Sequence, residues 1–280
     1  MGYCMGIYIS SRVLQEMRHT QFLLDQLHPD AAPQALSVSG KHEPRASVIV
    51  FTGSFNPPTI AHIALLKQAQ KYAHTHKDMS LYAAFSKQTV DKEHVERPLV
   101  LDRVELLRTV LRQRLPDVNI LLFNRGLYLE QAQALRASFP QVRRIYFLMG
   151  FDKILQIFDP RYYKDRDAAL EALFQQAQLL VVPRGGSGAD ALSELLQRPE
   201  NVRFARYVRS QPFDPTYRDI SATQVRQGGQ LHEHDIPWQV RRFIRETRAY
   251  APPVRRPDGT EADLYNERID YLRCHLGPVS

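Results

Sequence analysis

Cysteine is almost absent from this chain of 280 residues, which contains only Cys4 and Cys274. Two cysteines cannot build a disulfide framework, and no Cys/His cluster has the spacing of a zinc site, so we expect a protein of the reducing cytoplasm. Long apolar runs are also absent, because none approaches the roughly 18 to 20 residues that a membrane-spanning helix requires. The sequence therefore predicts no membrane partner.

The composition is that of an ordinary globular protein. Hydrophobic residues make up 44% of the chain and charged residues 24%, which excludes global disorder, a collagen-like chain and a coiled coil. The net charge is +7, with a concentration of arginines between Val240 and Arg256. These arginines are Arg241, Arg242, Arg245, Arg248, Arg255 and Arg256. They indicate either a solvated basic helix or a surface for phosphates, and the sequence leaves both open.

The apolar pattern divides the chain into three parts. Residues 1–46 are an N-terminal extension with a helix from Ser11 to Leu27, residues 47–250 are an α/β domain, and residues 251–280 are an unassigned tail. Within the domain, strands are predicted near 47–51, 80–85, 119–123, 144–149, 178–182 and 202–207. Helices are predicted near 60–75, 98–114, 128–138, 166–176 and 189–197, then from Ser221 and from Pro237 to Arg248. Strands that alternate with helices predict a Rossmann-like parallel sheet covered by helices on both faces.

A polar loop follows the first predicted strand of the domain, and its sequence is GSFNPPTIAH, from Gly53 to His62. Gly53 permits close approach of a phosphate, Phe55 can anchor the loop in the core, and Thr59 stands where a helix N-cap belongs. His62 then falls in the first helical turn, where backbone amides and the helix dipole favour an anion. The alternative is an ordinary connection with a capping threonine and a surface histidine.

A second polar segment, ISATQVR, runs from Ile220 to Arg226. Ser221 is a natural N-cap, and Thr223 and Arg226 lie three residues apart, on one side of a helix. Two hydroxyl groups, exposed amides and a guanidinium at one helix start can hold a polyphosphate. A plain N-cap with an exposed arginine is the alternative.

Together the two segments resemble the motifs G-x-F-x-P-x-(H/T)-x-x-H and I-S-x-T-x-x-R of the nucleotidyltransferase superfamily, and in particular of the nicotinamide and nicotinate mononucleotide adenylyltransferases. The resemblance covers residues 47 to about 248. It implies that ATP is bound by Gly53, Ser54, Phe55, Thr59, His62, Gly150, Asp152, Ser221, Thr223 and Arg226. His62 and Arg226 would be the catalytic residues, with Arg226, Ser221 and Thr223 on the β- and γ-phosphates.

The resemblance also implies a second substrate, a pyridine mononucleotide. Its binding residues would be Asn56, Lys92, Tyr163 and Arg184, with Tyr163 at the position where relatives stack a tryptophan on the pyridine ring. The phosphate of the mononucleotide would attack the α-phosphorus of ATP, and Mg²⁺ would bind through the ATP phosphates. The alternatives are a sibling enzyme that uses CTP or another phosphorylated acceptor, and a non-catalytic nucleotide or nucleic-acid binder. Preference for nicotinate or nicotinamide stays open, and so does a homo-oligomer.

Two further groups of residues are interpreted as structural. The pairs His74/His76 and His232/His234 lack additional ligands at a suitable spacing, so no metal-binding residue is predicted. Asp102 and Arg103 stand in the first turn of a predicted amphipathic helix. Their simplest interpretation is a salt-bridged helix surface.

Overall fold

The computed structural model describes residues 9–39, 43–76, 78–87, 97–182, 188–217, 219–227, 234–255 and 259–279. The strands of the main sheet are β1 (Ala35–Ser37), β2 (Ser47–Thr52), β3 (Met79–Ser86), β4 (Asn119–Phe123), β5 (Arg144–Gly150), β6 (Gln178–Val182) and β7 (Val208–Ser210). The helices are α1 (Ser11–Gln26), α2 (Ile60–His74), α3 (Val100–Arg114), α4 (Tyr128–Ser138), α5 (Phe151–Phe158), α6 (Arg166–Gln176), α7 (Gly188–Gln197), α8 (Ala222–Arg226), α9 (Trp238–Thr247) and α10 (Leu264–Leu276).

The described strands form one seven-stranded sheet in the order β1-β4-β3-β2-β5-β6-β7. Every neighbouring pair is parallel except β1 and β4, which confirms the predicted parallel sheet. The chain builds outward from β2 to β4 on one side, then crosses to β5 and builds the other side. Ligands of such sheets bind at this change of direction, beyond the carboxyl ends of the strands. In this protein that place is the end of β2 and β5.

Helices cover both faces of the sheet, as the sequence predicts. Side chains of a strand alternate between its faces, so Ile49 and Phe51 of β2 join a core with α2 and α3, whereas Val48 and Val50 join a core with α4 and α6. The two cores hold β2 rigidly from both sides. Its carboxyl end is therefore a fixed platform for the loop that follows.

The predicted strand at 202–207 is wrong, because Val202–Tyr207 forms a 3₁₀ helix and β7 begins only at Val208. Residues three apart in a 3₁₀ helix lie on the same side, whereas in a strand they point to opposite faces. Phe204 and Tyr207 both pack on Phe174, with ring centroids 5.4 and 5.1 Å from it. Val202, by contrast, is 57% exposed. The short apolar sequence imitates a strand, but the packing of Phe204 and Tyr207 on one side favours the 3₁₀ helix.

The segment before residue 47 packs onto the α/β domain. Helix α1 contacts α3 and α10, and β1 adds an antiparallel strand to β4 with Ala35 opposite Phe123. The backbone amide of Gln34 also donates to the Asn124 side chain at 2.8 Å. The predicted helix from Ser11 is present, whereas β1 was not foreseen, because its short sequence carries no strand signal of its own.

The tail, which the sequence left unassigned, forms a short hairpin and helix α10. Strands β8 (Val254–Arg255) and β9 (Glu261–Ala262) pair antiparallel, and Asp263 then caps α10 by accepting from the amides of Tyr265 and Asn266. One side of α10 packs on α1, and Tyr265 packs with Phe243 of α9. The tail is thus attached both to the N-terminal extension, through α1, and to the α/β domain, through α9.

A buried ion pair joins α10 to α3, which corrects the interpretation of Asp102 and Arg103 as a helix surface. Asp102 is 1% exposed and accepts from Arg268 Nη2 at 2.6 Å and from the Tyr265 hydroxyl at 2.7 Å. Burial acts to lower the pKa of Arg268, but the Asp102 carboxylate outweighs it and the net pKa lies above the usual value. Arg103 is buried as well. Helical spacing alone could not show that the tail covers this face.

Glu105, in the next turn of α3, is buried against α1 and gives a testable pH dependence. Burial raises its pKa to about 7 from an ordinary 4.5, although Arg108 Nη1 lies 3.0 Å away. Because the pKa of Glu105 is higher in the folded than in the unfolded protein, the protonated carboxyl group stabilises the fold. This stabilisation is complete below the unfolded-state pKa and is lost as the pH rises through the folded-state pKa. We expect Glu105→Gln to remove this loss, so the free energy of unfolding should fall less between pH 5 and pH 8 than in the wild type.

Urea unfolding at the two pH values measures this difference. The control is Glu246→Gln, since Glu246 pairs with Arg242 on the exposed side of α9 and should leave the pH dependence unchanged. A Glu105→Gln variant with the full wild-type loss would contradict the assignment of this titration to Glu105.

Candidate active site

Beyond the carboxyl end of β2, residues 53–58 form the loop that the sequence singled out, here called the 53–58 loop. Phe55 has no exposed surface and adopts a positive φ of 41°. Its ring lies over Gly53, where an added Cβ would come within 3.2 Å of Phe55 Cζ. The predicted anchoring role of Phe55 is therefore seen in the structure. Gly53 therefore leaves the space that the Phe55 ring occupies. Close approach of a phosphate to Gly53 stays a prediction, and so does direct contact of the buried Phe55 with ATP.

His62 is held in one orientation at the start of α2. Thr59 is the N-cap, as predicted, and the Thr59 amide donates to His62 Nδ1 at 3.0 Å. Because Nδ1 accepts this bond, the neutral ring carries its proton on Nε2. The ring also packs on Phe55 and Phe51, at centroid distances of 5.1 and 6.0 Å. The structure thus presents Nε2 as the donor nitrogen of a ring that cannot turn freely.

The second motif forms the single-turn helix α8, as the sequence predicts. Ser221 caps this helix, because its hydroxyl oxygen accepts from the Thr223 amide at 3.2 Å. The Gln224 side-chain oxygen accepts from the Ser221 amide in return, which completes a capping box. Buried Val225 fixes the turn to the core. Thr223 is exposed, and its hydroxyl accepts from Arg226 Nη2 at 3.2 Å. Thr223 and Arg226 therefore form one polar unit.

Arg226 joins the two motifs directly. Its Nη1 donates to the backbone carbonyl of Asn56 at 2.8 Å, across 170 residues of sequence. His62 and Arg226 consequently flank the same loop at the carboxyl end of β2. The two motifs therefore meet at one loop, and binding of a single ATP by both residues stays a prediction.

Asn56 is at the centre of this junction but has no exposed surface. Its Nδ2 donates to the Arg97 carbonyl at 3.2 Å, and its Oδ1 accepts from the Tyr250 hydroxyl at 2.6 Å. The sequence assigned Asn56 to mononucleotide binding, which stays a prediction. In this structure its side chain fixes the loop rather than facing solvent.

Two residues at the site were missed from the sequence. Arg103 Nη1 donates to the Ser54 carbonyl at 3.0 Å, and burial holds the pKa of Arg103 below its usual value. Tyr250 holds Asn56 from the other side, and burial raises the pKa of its hydroxyl, which thus remains a donor. Neither belongs to a recognisable motif. Only the three-dimensional contacts identify them, since Tyr250 and Asn56 are 194 residues apart.

The Gly150 segment lies at the same edge of the sheet. Phe51 of β2 pairs with Leu148 of β5, so the two strands lead side by side to Gly53 and Gly150. Gly150 is the N-cap of α5 and provides no side-chain cap for its amides, and Asp152 is exposed in the first turn. This placement fits the predicted contact with the nucleotide, and the contact itself stays a prediction.

The side chain of Tyr163 is hydrogen-bonded to the protein backbone. Its hydroxyl donates to the Ile157 carbonyl at 2.9 Å, and burial raises its pKa. Tyr162, its neighbour, is 54% exposed. No contact joins Tyr163 to the two motifs among the described residues, so its stacking on a pyridine ring stays a prediction.

Some sequence predictions concern residues outside the described part of the chain. These residues are Cys4, Lys92, Arg184, His232 and Arg256. Within the described part, no three His, Cys, Asp or Glu side chains come together as a metal site, and no helix is long and apolar enough to cross a membrane. Arg242, Arg245 and Arg248 lie exposed on or just after α9, which leaves both interpretations of the basic segment open.

A doubly covered parallel sheet with polar motifs at the carboxyl ends of its central strands is the arrangement of the nucleotide-binding α/β class. The cytidylyltransferase-like family model matches residues 50–228, more than half of the chain, so the chain belongs to this family of nucleotidyltransferases. Its match includes both motifs but ends before Tyr250 and α10.

A curated relative and two solved structures are also similar. A Schizosaccharomyces pombe protein named "Putative nicotinamide mononucleotide adenylyltransferase" is 24% identical over 155 residues, which are 54% of this chain and 59% of that protein. A Plasmodium falciparum nicotinic acid mononucleotide adenylyltransferase, complexed with APC, is 16% identical with a TM-score of 0.48, over 73% of this chain and 97% of its own. A Vibrio parahaemolyticus "Putative Nicotinate-nucleotide Adenylyltransferase" is 15% identical with a TM-score of 0.38, over 71% and 93%.

Proposed function

We propose that this protein transfers the adenylyl group of ATP to nicotinamide or nicotinate mononucleotide and forms NAD or deamido-NAD with pyrophosphate. The observation that carries the proposal is the bond from Arg226 Nη1 to the Asn56 carbonyl, which brings the second motif onto the loop of the first. Family membership and the name of the Schizosaccharomyces pombe relative support the same reaction.

The reaction requires no covalent protein nucleophile. A phosphate oxygen of the mononucleotide forms a bond to the α-phosphorus of ATP while the bond from that phosphorus to the β-phosphate bridging oxygen breaks, and pyrophosphate takes that electron pair. Because the attacking oxygen is already anionic, positioning and charge stabilisation supply the catalysis. The protein therefore needs donors at fixed positions around the triphosphate.

The two motifs are suited to opposite parts of the triphosphate. His62 Nε2 would donate to the α-phosphate and stabilise the negative charge that grows on it. Arg226 and Thr223 would hold the β- and γ-phosphates and then the departing pyrophosphate, with Ser221 beside them. Gly150 and Asp152, at the end of β5, would lie along the nucleoside.

Mg²⁺ is proposed as part of the ATP substrate. It prefers oxygen ligands and binds to proteins mainly through substrate phosphates and one or two carboxylates. The phosphate oxygens of ATP are donors of this kind. Bound there, the ion would neutralise phosphate charge.

Pyrophosphate release tests the proposal. Purified protein should release pyrophosphate with ATP, Mg²⁺ and either nicotinamide or nicotinate mononucleotide, and the ratio of the two rates gives the pyridine preference. Release that requires CTP or a different phosphorylated acceptor would contradict the proposed reaction and favour a sibling enzyme. Absence of release, together with nucleic-acid binding that weakens steeply with salt, would identify a binding protein instead.

A further inference from the structure

Tyr250 lies outside the residues that the family model matches, yet it contacts the 53–58 loop. Its hydroxyl donates to Asn56 Oδ1 at 2.6 Å, which is a short bond between the half-buried Tyr250 and the buried Asn56. Helix α9 ends at Thr247, and its C-cap Arg248 adopts the left-handed conformation with a φ of 52°. This turn, followed by buried Ala249, brings Tyr250 back towards the loop. The position of Tyr250 is therefore set by the fold of the C-terminal segment.

Asn56 is sensitive to the loss of this bond because its polar atoms are buried and in use. Its Nδ2 donates to the Arg97 carbonyl, and its own carbonyl accepts from Arg226 Nη1. Without the tyrosine hydroxyl, Oδ1 would be a buried acceptor that has lost its donor, which is costly. We expect Asn56 to relieve that cost by moving, and movement of Asn56 displaces the carbonyl that holds Arg226.

The other side of the loop has an independent restraint. Arg103 Nη1 donates to the Ser54 carbonyl at 3.0 Å, and Arg103 stands next to Asp102, the residue that holds α10. Loss of the Tyr250 hydroxyl leaves this restraint in place. Because the Ser54 carbonyl keeps its donor, we expect the fold to survive and the displacement to affect mainly Arg226 and the loop around Asn56.

We propose that Tyr250 is a positioning residue, whose hydroxyl fixes Asn56 and, through the Asn56 carbonyl, aligns the Arg226 guanidinium with the triphosphate. The catalytic part of this inference rests on the proposed function. Tyr250 touches no substrate in it. The C-terminal segment beyond the family match thereby becomes part of the working site.

Tyr250→Phe tests the inference, with Tyr271→Phe as the control. Tyr271 is in α10, and its ring stacks on His275 away from the loop. We expect Tyr250→Phe to lower kcat about tenfold, the effect of one buried hydrogen bond, and to change KM for ATP less than about threefold, because Arg226 keeps its charge but loses its alignment. The control should keep the wild-type kcat. A wild-type kcat in Tyr250→Phe would overturn the inference.

A double-mutant cycle identifies the route of the effect. If Tyr250 acts through Asn56, then Tyr250→Phe should cause no further loss of kcat in an Asn56→Ala background. An undiminished tenfold loss in that background would overturn the route. Circular dichroism of each variant checks that the fold is retained.

Hydrogen exchange gives a readout that needs no substrate. Backbone amides of the 53–58 loop and of Thr59 should exchange faster in Tyr250→Phe than in the wild type or in Tyr271→Phe. If pyridine mononucleotides prove inactive, the proposed function fails, while faster exchange would still support the positioning of the loop. Equal exchange in all three proteins would overturn it.

Discussion

Replacing His62 by alanine should lower turnover by about 10² or more, the usual effect of removing one positioned donor to a developing negative charge. The structure defines which atom is lost, since Nδ1 accepts from the Thr59 amide and Nε2 carries the proton. Because that donor would act chiefly in the transition state, kcat and kcat/KM should fall together. Steady-state pyrophosphate release over a range of ATP concentrations, at saturating mononucleotide, measures both constants.

Two further variants separate this effect from damage to the helix start. His62→Asn retains a side-chain oxygen that can accept from the Thr59 amide, and it should be about as slow as His62→Ala. His74→Ala changes an exposed histidine at the other end of the same helix and should retain wild-type turnover. Near-normal turnover in His62→Ala would remove His62 from its assigned role.

Replacing Asp102 by alanine should destabilise the protein by about 3–5 kcal/mol, because it leaves the Arg268 charge buried without its partner. The change also removes the acceptor of the Tyr265 hydroxyl, which in turn accepts from the Leu99 amide at 2.7 Å. Urea unfolding followed by circular dichroism measures the loss. Fluorescence of Trp238, the single tryptophan of the chain, reports the region of α9 separately.

The matched control for this variant is an exposed ion pair. Arg242 Nε lies 2.8 Å from Glu246 on the outer side of α9, and Glu246→Ala should cost at most about 1 kcal/mol. The double variant Asp102→Leu/Arg268→Met removes both charges together and should recover part of the lost stability. A loss below about 1 kcal/mol for Asp102→Ala would show that the pair contributes little to holding the tail.

Local sequence signals were sufficient for the centre of the fold. The apolar run of β2, the cap at Thr59 and the cap at Ser221 each involve residues within a few positions, so pattern and propensity predict them. The order of strands and helices then implies the parallel sheet and the edge at which the two motifs meet. The bond between Arg226 and Asn56 agrees with that expectation.

The parts that could not be predicted depend on partners far away in sequence. Nothing near Asp102 shows that Arg268 will cover it, and nothing near Asn56 shows that Tyr250 will reach it. At 202–207 the local pattern was misleading, because packing on Phe174 determines the conformation. Long-range polar contacts of this kind leave no periodic signal.

The antiparallel strand β1 has a practical consequence for any shortened form of the protein. An uncovered sheet edge presents a row of unpaired amides and carbonyls, to which a strand of another molecule can add. In the intact chain, β1 occupies the open side of β4. A chain trimmed to the family match, residues 50–228, would expose that row and also lose Tyr250. Such a fragment should precipitate readily, and its poor solubility would say nothing about the competence of the 280-residue chain.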